Sequence, residues 1–316
     1  MFSDEDAAHD YIVQMRWPAG VCCPRCGSTA VTYIKTRKLW KCKDCVERKQ
    51  FSVRVGTIFE DSKLKLGHWL VAIWQLVNCK NGISSYELAR ALGITQKSAW
   101  FMLHRARLAL HVGSFDRKLI GHIEVDETYI GGRARYMHKD KVARLKAEPI
   151  MGKAVVMGLL DRHNGEIRAF VVPSAHKRHL VGKIYENVEP GALILSDENQ
   201  TYNMLYRHYA HEVINHAECY AKGHVHTNGL ENFWSLTKRA IKGTYVAVEP
   251  FHLFRYMDEQ TFRFNNRKTD DAERFHKAVR GCNRKRLTYN SLTGKDAEGS
   301  TPSVSAEGSV DEGEAE

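Results

Sequence analysis

Residues 121–132 constrain the fold of this chain more than any other stretch, because they combine a strand pattern with acidic side chains. Their sequence is GHIEVDETYIGG. Apolar and polar residues alternate along it, so one face is expected to be buried while the other presents Glu124 and Asp126. The segment therefore predicts a half-buried β-strand that carries carboxylates and ends at a Gly-Gly turn.

Two further carboxylates stand where a shared site could form. A second apolar run at 192–196 leads directly into Asp197, and Glu231 lies where a helix is expected to begin. Two strand aspartates and one helix glutamate provide the hard oxygen ligands that Mg²⁺ or Mn²⁺ needs for phosphate chemistry. Asp126, Asp197 and Glu231 are therefore the candidate catalytic and metal-binding residues.

Neighbouring acids leave the choice of strand ligands open. If both strands are regular, Glu127 and Glu198 point to the faces opposite Asp126 and Asp197. Glu124 shares the face of Asp126 and remains an alternative ligand.

Glu231 also has an alternative interpretation, as a solvated glutamate in the first turn of a helix, where the helix dipole favours it. Asn228 and Lys238 fall on the same helix face as Glu231. This arrangement would place a metal ligand beside a phosphate-binding ammonium. Lys238 and the neighbouring Arg239 are therefore candidate DNA contacts.

The order of elements after residue 116 predicts an α/β fold. Strands are expected near 121–130, 154–161 and 166–172, with an Asn-Gly turn joining the last two. A helix, the strand that leads into Asp197, a second helix and a fifth strand near Val213 follow. This is the order of a ribonuclease-H-like core, a mixed five-stranded sheet with helices. By analogy with that topology, the first and fourth strands lie side by side and bring Asp126 and Asp197 together.

The cysteines are unevenly placed, since five of the eight lie between Cys22 and Cys45. This clustering favours a metal site over a disulfide framework. Two Cys-x2-Cys knuckles have the spacing that closes a tetrahedron of thiolates around structural zinc, at Cys23, Cys26, Cys42 and Cys45. The alternatives are reduced structural cysteines without metal, or a register that uses Cys22.

The segment between the cysteines and the acidic strand has a helical pattern. Apolar residues recur at helical spacing over 66–77, serines begin a short helix at 84–92, and Thr95 caps a longer helix at 96–110. The two later helices, joined by a turn with Gly93, predict a helix-turn-helix; an ordinary helical hairpin is the alternative. Its second helix would present these residues to DNA: Gln96, Lys97, His104, Arg105 and Arg107.

The net charge favours a polyanionic partner such as DNA. The chain of 316 residues carries +10, and its last stretch from Asp296 holds seven acids and no Lys or Arg, so the remainder carries +17. We predict a zinc ribbon at 1–60, a helical DNA-binding segment at 61–115, a catalytic domain at 116–289 and a disordered acidic tail at 290–316. The acidic, polar start and the absence of a long apolar run favour a cytoplasmic protein without membrane contact.

Several runs together resemble one family, bacterial insertion-sequence transposases of the DDE class, in the zinc-ribbon-bearing group related to the Merlin elements. The resemblance spans about residues 4–268. It is carried by CPRCG at 23–27, FSVRVGTIF at 51–59, EVDETYIGG at 124–132, Ser196-Asp197, NGLENFWS at 228–235 with Lys238-Arg239, and RFN at 263–265. It implies that Asp126, Asp197 and Glu231 form the acidic triad of a metal-dependent enzyme.

The resemblance and the charge together predict a transposase that binds the terminal inverted repeats of its element and cuts and joins DNA. Its partners would be those DNA ends, the target DNA and further copies of the chain in a synaptic complex. Two alternatives remain: a ribonuclease-H-like nuclease that cuts without joining, and a zinc-ribbon DNA-binding regulator whose acids are structural.

Overall fold

The structure is a computed structural model that describes residues 3–111, 117–131, 153–197, 200–214, 227–246 and 248–295. The chain divides into two compact units, residues 1–286 and 287–316.

The first unit begins with a helix and a small antiparallel sheet in the order β1-β2-β3. Trp40 of the sheet stacks on His9 of the helix at 5.7 Å and meets Trp17 edge-on at 5.4 Å between ring centroids. The sheet is therefore covered by aromatic rings. These elements are α1 (Glu5–Arg16), β1 (Val31–Ile34), β2 (Leu39–Cys42) and β3 (Gln50–Phe51).

Three helices follow, the first where apolar residues recur at helical spacing and the other two where their sequence caps predict them. Ser84 and Glu87 form a reciprocal capping box, Gly93 ends the second helix with a left-handed φ of 64°, and the Thr95 side chain accepts from the Ser98 N–H. The helices are α2 (Leu66–Asn78), α3 (Ser85–Leu92) and α4 (Gln96–Leu110).

The central sheet has five strands in the order β6-β5-β4-β7-β8. The meander β4-β5-β6 is antiparallel, whereas β7 runs parallel to β4 and β8 parallel to β7. The predicted ribonuclease-H-like fold is confirmed, including the adjacent first and fourth strands. The elements are β4 (His122–Ile130), β5 (Ala154–Asp161), β6 (Glu166–Val172), α5 (Lys177–Asn187), β7 (Leu193–Asp197), a 3₁₀ helix (Gln200–Arg207) and β8 (Ala210–Ile214).

Helices cover both faces of this sheet and form two separate apolar cores. On one face, Ile123 and Val125 of β4 are buried with Leu180 and Ile184 of α5. On the other face, Val156 and Leu160 of β5 are buried with residues of two later helices, Leu230, Phe233, Trp234 and Met257. The C-terminal elements are α6 (Asn228–Ala240), a π-helical turn (Ile241–Tyr245), a 3₁₀ turn (Pro250–His252), α7 (Leu253–Asn265) and α8 (Asp271–Arg280).

A third core joins parts of the chain that are distant in sequence. One cluster of buried residues includes Trp40 of the ribbon, Trp69 of α2, Leu103 of α4 and Phe275 of α8. Helix α8 therefore completes the core of the N-terminal part, although the sequence grouped it with the catalytic domain. The domain boundaries as a whole stay a prediction.

Asn265 of α7 contacts the edge strand β6. Its side-chain oxygen accepts from the Ile167 N–H at 2.8 Å, and its amide nitrogen donates to the Ile167 carbonyl at 2.9 Å. The Asn265 side-chain amide thus pairs with the backbone N–H and carbonyl of one edge residue, as a neighbouring strand would. This contact gives the RFN run a structural role.

In the second unit the structure describes a short helix, α9 (Tyr289–Thr293), which Thr288 caps and Gly294 ends. The structure thus has a helix at the first residues for which the sequence predicted disorder, and Leu292 of this helix is buried. The remainder of the acidic tail lies outside the described residues. No helix in the described ranges has the length and apolar content to cross a membrane.

Candidate metal centre and active site

The four predicted cysteines of the ribbon come together. Their sulfur atoms all lie within 4.8 Å of one another, with Sγ–Sγ distances of 3.7 Å for Cys23–Cys45, 3.6 Å for Cys26–Cys42 and 3.4 Å for Cys26–Cys45. Zinc–sulfur bonds of about 2.3 Å at tetrahedral angles require sulfur–sulfur distances of about 3.8 Å. The donor set fits structural zinc, and Cys22 is not part of it.

Protein groups shift the pKa values of these thiols in opposite directions. Burial raises the pKa of Cys23, but backbone N–H groups of Cys26 and Arg25 outweigh it and lower the pKa to about 7. The hydrogen bond with Cys26 raises the pKa of Cys45 to about 12. Protein groups alone therefore favour thiolates unevenly, whereas a bound cation would favour all four.

The pairing of β4 with β7 brings the two predicted aspartates to one place. The parallel ladder pairs His122 with Leu193 and Glu124 with Leu195. Asp126 lies two residues after Glu124, and Asp197 lies two residues after Leu195. The two aspartates therefore share a face at the same level of the sheet. Burial, followed by the charge of Asp197 among other groups, raises the pKa of Asp126 from 3.8 to about 7.

Hydrogen bonds fix the Asp126 carboxylate. Its Oδ1 accepts from the Glu127 N–H at 2.8 Å, and its Oδ2 accepts from Nε1 of Trp234 at 2.9 Å. Trp234 is buried in α6 and lies over Gly158, the β5 residue that pairs with Asp126. A Cβ on Gly158 would lie 2.7 Å from the Trp234 ring, so the close approach of this ring requires glycine.

Glu231 lies in the first turn of the same helix, one turn before Trp234, and its side chain is exposed. Its position three residues before Trp234 places it on the neighbouring part of the helix surface. Among the described residues, the four cysteines form a group of potential metal ligands whose atoms all lie within 4.8 Å of one another. The three acids do not form such a group. The structure thus places Asp126 and Asp197 at one level of the sheet and Glu231 one helical turn before the Trp234 contact, without joining all three carboxylates in such a group.

The competing acids have other contacts. Glu124 is 1% exposed; its Oε1 accepts from Nε of Arg162 at 2.7 Å, and its Oε2 accepts from the Leu230 N–H at 2.9 Å. Glu127 lies on the opposite strand face, as predicted, and accepts from the Tyr202 hydroxyl at 2.6 Å. Glu198 lies outside the described residues.

The predicted DNA contacts divide into exposed and buried side chains. Lys97 and Arg239 are exposed, Lys238 is half-buried, and Gln96 donates to the Ser85 hydroxyl at 2.8 Å. These four residues remain candidate DNA contacts.

The structure corrects the assignment of Arg105 and Arg107 to a DNA-facing surface. Arg107 is 1% exposed and donates from Nε to Glu259 of α7 at 2.8 Å. Arg105 is 3% exposed, donates to the Glu60 carbonyl and lies over the Trp69 ring. His104, assigned to the same surface, is fully buried, and burial lowers its pKa to about 2. The sequence showed a basic helix, but not the groups that bury its cations.

Comparison with known proteins agrees with the geometry. Residues 3–48 match the family described as transposase zinc-ribbon domain, and residues 118–265 match the ISXO2-like transposase domain. The chain carries an ISXO2-like transposase domain. The resemblance to insertion-sequence transposases with a zinc ribbon is thereby confirmed, and the transposase domain begins just before β4 and ends with α7.

Two individual proteins are similar to this chain at low sequence identity. The chain is 24% identical over 251 residues to an uncharacterized protein in transposable element ISH50 of Halobacterium salinarum, covering 75% of this chain and 83% of that protein. It also matches a chain of the simian T-cell lymphotropic virus intasome in complex with PP2A regulatory subunit B56 gamma, at 14% identity and a TM-score of 0.27. That match covers 58% of this chain and 64% of the other, less than two thirds of its length.

The sequence did not indicate the roles of two residues near Asp126, Trp234 and Gly158. Trp234 lies in the NGLENFWS run, three residues after Glu231, and a buried tryptophan requires a partner for its N–H. That spacing was a usable signal for a group near the acids. Gly158 gave no comparable signal, because its role depends on which helix covers β5.

Proposed function

We propose that the transposase domain binds the ends of its own element, cuts the DNA there and joins the freed 3′ ends to a target. The observation that carries the proposal is the pair Asp126 and Asp197, placed on one sheet face by the β4–β7 register, with the pKa of Asp126 raised to about 7. Perturbed carboxylates that share a site are typical of functional centres.

The donor set fits divalent metal. Asp126, Asp197 and Glu231 would hold Mg²⁺ or Mn²⁺, which supplies activation of a water or 3′-hydroxyl and stabilisation of the leaving oxygen in phosphodiester chemistry. The Trp234 N–H donates a hydrogen bond to Oδ2 of Asp126 and so orients the carboxylate.

Cations on helices α4 and α6 would hold DNA. Lys238 and Arg239 lie in the last turn of α6, and Lys97 lies in the first turn of α4. We propose that these residues contact phosphates and that the zinc ribbon and the α3–α4 pair bind element ends. Several copies of the chain would assemble on two DNA ends, since both ends must be held for coupled joining.

The experiment uses full-length protein with duplexes that carry the ends of the flanking element. Asp126→Asn, Asp197→Asn and Glu231→Gln should each abolish Mg²⁺-dependent cleavage and joining and leave end binding near the wild-type level. Double variants should add little, because residues that act as one unit are not additive. Glu186→Gln, an exposed carboxylate on α5, is the matched control and should behave as wild type.

The alternatives give other results. A nuclease would cut the duplex and never join a 3′ end to target DNA, and a regulator would bind DNA equally with and without Mg²⁺ and show no cleavage. Full activity of Glu231→Gln would refute the assignment of that residue.

A further inference from the structure

Helix α6 contacts the catalytic face of the sheet at two successive levels. At the first, Glu124 of β4 pairs with Leu160 of β5; at the second, Asp126 pairs with Gly158. The first turn of α6 lies over the Glu124 level, and Trp234, one turn later, lies over the Asp126 level. The position of Glu231 between these two contacts is therefore set by how α6 sits on β4 and β5.

The first N–H groups of a helix have no partner within it and need an acceptor from elsewhere. The acceptor for the Leu230 N–H is the Oε2 atom of Glu124, at 2.9 Å. Thr227, which precedes the helix, makes no side-chain cap. The buried Glu124 carboxylate of β4 thus takes the place of a local cap, and its negative charge is favourable at the N-terminus of α6.

The Glu124 side chain is itself held in place. Its second oxygen, Oε1, accepts from Nε of Arg162 at 2.7 Å, and the Glu124 side chain is 2% exposed. Gly229 allows the close approach, since a Cβ there would lie 2.3 Å from Cδ2 of Leu160 and 2.8 Å from Oε2 of Glu124. The contact depends on a carboxylate with two acceptor oxygens and on a residue without a side chain opposite it.

We propose that Glu124 is a positioning residue, which fixes the first turn of α6 and thereby sets Glu231 beside Asp126. The inference rests on the proposed function for its catalytic consequence. Glu124 acts through the Leu230 N–H, and its own oxygens stay engaged with Arg162 and Leu230. Its role therefore differs from that of the ligand alternative that the sequence left open.

Two substitutions break the contact in different ways. Glu124→Gln keeps the size of the side chain but has one acceptor oxygen, so its NH₂ group must face either Arg162 or Leu230, both of which are donors. Gly229→Ala keeps every carboxylate but inserts a methyl group between α6 and the sheet. The matched control is Gly182→Ala in α5, where a Cβ would have no neighbour within 4 Å.

Hydrogen exchange measured by mass spectrometry on the full chain tests the contact without any catalytic assay. We expect exchange in the peptide that covers 227–234 to accelerate about tenfold or more in both Glu124→Gln and Gly229→Ala, with the zinc ribbon and the β4–β5 ladder unchanged. Gly182→Ala should match wild type in this peptide. Unchanged exchange at 227–234 would overturn the proposal, and so would a uniform increase over the whole chain, which would indicate general loss of structure.

Cleavage and end binding then test the consequence. Both variants should bind element ends as wild type does and cleave about 10²-fold more slowly, because a small misplacement of a catalytic group has a cost of that order. If Glu124→Gln is as inactive as Glu231→Gln while Gly229→Ala cleaves at the wild-type rate, Glu124 is a ligand and the proposal is wrong. Absence of cleavage by wild type would refute the proposed function, whereas the exchange data would still decide whether Glu124 holds α6.

Discussion

Asp126 combines burial, a like charge and two hydrogen bonds at a single carboxyl group. Burial and the charge of Asp197 raise its pKa, while the Trp234 N–H and the Glu127 N–H lower it. Because the pKa reaches about 7, the ionised form costs free energy in the folded protein at neutral pH. A cation at this carboxylate would offset that cost, which links the stability of the fold to the proposed metal binding.

The first prediction concerns the pH dependence of stability. A carboxyl whose folded pKa is raised stabilises the fold most below its unfolded pKa of 3.8, and this contribution is lost as pH rises to about 7. Without added divalent metal, wild type should therefore lose about 2 kcal/mol more unfolding free energy than Asp126→Asn between pH 5.5 and 8.5. Urea titrations without chelator, so that the ribbon keeps its metal, measure this difference. Parallel pH curves for the two proteins would contradict it, and Mg²⁺ should stabilise wild type more than the variant at pH 8.5.

Helix α4 shows how one element serves two purposes on its two sides. Its buried side carries Arg107, whose ion pair with Glu259 joins α4 to α7; Arg263 and the Tyr245 hydroxyl also donate to Glu259. The same helix presents Lys97 to solvent at its first turn. The basic character of the helix therefore reflects internal stability on one side and a candidate DNA surface on the other.

The second prediction separates the two sides of α4. Arg107→Ala leaves Glu259 buried without its α4 partner and should lower the free energy of unfolding by about 3–5 kcal/mol. Lys97→Ala should change stability by no more than about 0.5 kcal/mol but reduce the salt dependence of DNA binding by about one phosphate contact. Denaturant unfolding and binding at several salt concentrations check both outcomes. A stable Arg107→Ala variant with weakened DNA binding would restore the original sequence interpretation.

The zinc ribbon gives the third prediction, at the scale of an element. Purified protein should contain one zinc per chain by elemental analysis, and Cys42→Ser should lose the metal and destabilise the ribbon, because four ligands close a structural site. Cys22→Ser is the matched control, since Cys22 lies next to Cys23 but outside the cluster of four sulfurs. Loss of zinc in Cys22→Ser and not in Cys42→Ser would show that the register is wrong.

At the scale of the whole molecule, charge is unevenly divided between residues 1–295 and the acidic tail. Described elements are connected by shared cores, with Trp40, Leu103 and Phe275 in one cluster. The acidic tail after Lys295 carries seven acids and lowers the net charge of the chain to +10. An acidic segment in the same molecule competes with DNA for basic surfaces.

The fourth prediction follows from this charge. Truncation after Lys295 raises the net charge from +10 to +17 and should strengthen nonspecific DNA binding at fixed salt without lowering the melting temperature. A tail of the same length with its seven acids replaced by Asn and Gln is the matched control, and it should bind DNA as the truncated chain does. Weaker binding on truncation would contradict the electrostatic argument.

Much of the fold could be predicted because its signals are local. The Ser84 and Thr95 caps, the Asn164-Gly165 turn and the alternation in β4 each act over a few residues, and the structure has the corresponding helices, hairpin and strand. The spacing of the four cysteines likewise determined the candidate zinc site. The pairing of β4 with β7 came from a known topology, since no local pattern specifies which distant strands become neighbours.

What only the tertiary structure decided are the contacts between elements. Arg107 meets Glu259 across 152 residues, Trp234 meets Asp126 across 108, and Leu230 meets Glu124 across 106. Periodicity shows that a face is buried or polar, but not which partner will lie opposite it, because that depends on how several elements pack at once. The sequence by itself therefore determined the strands of the central sheet, the candidate zinc ligands and the candidate acids, while packing decided that two arginines are internal and that Glu124 contacts a helix.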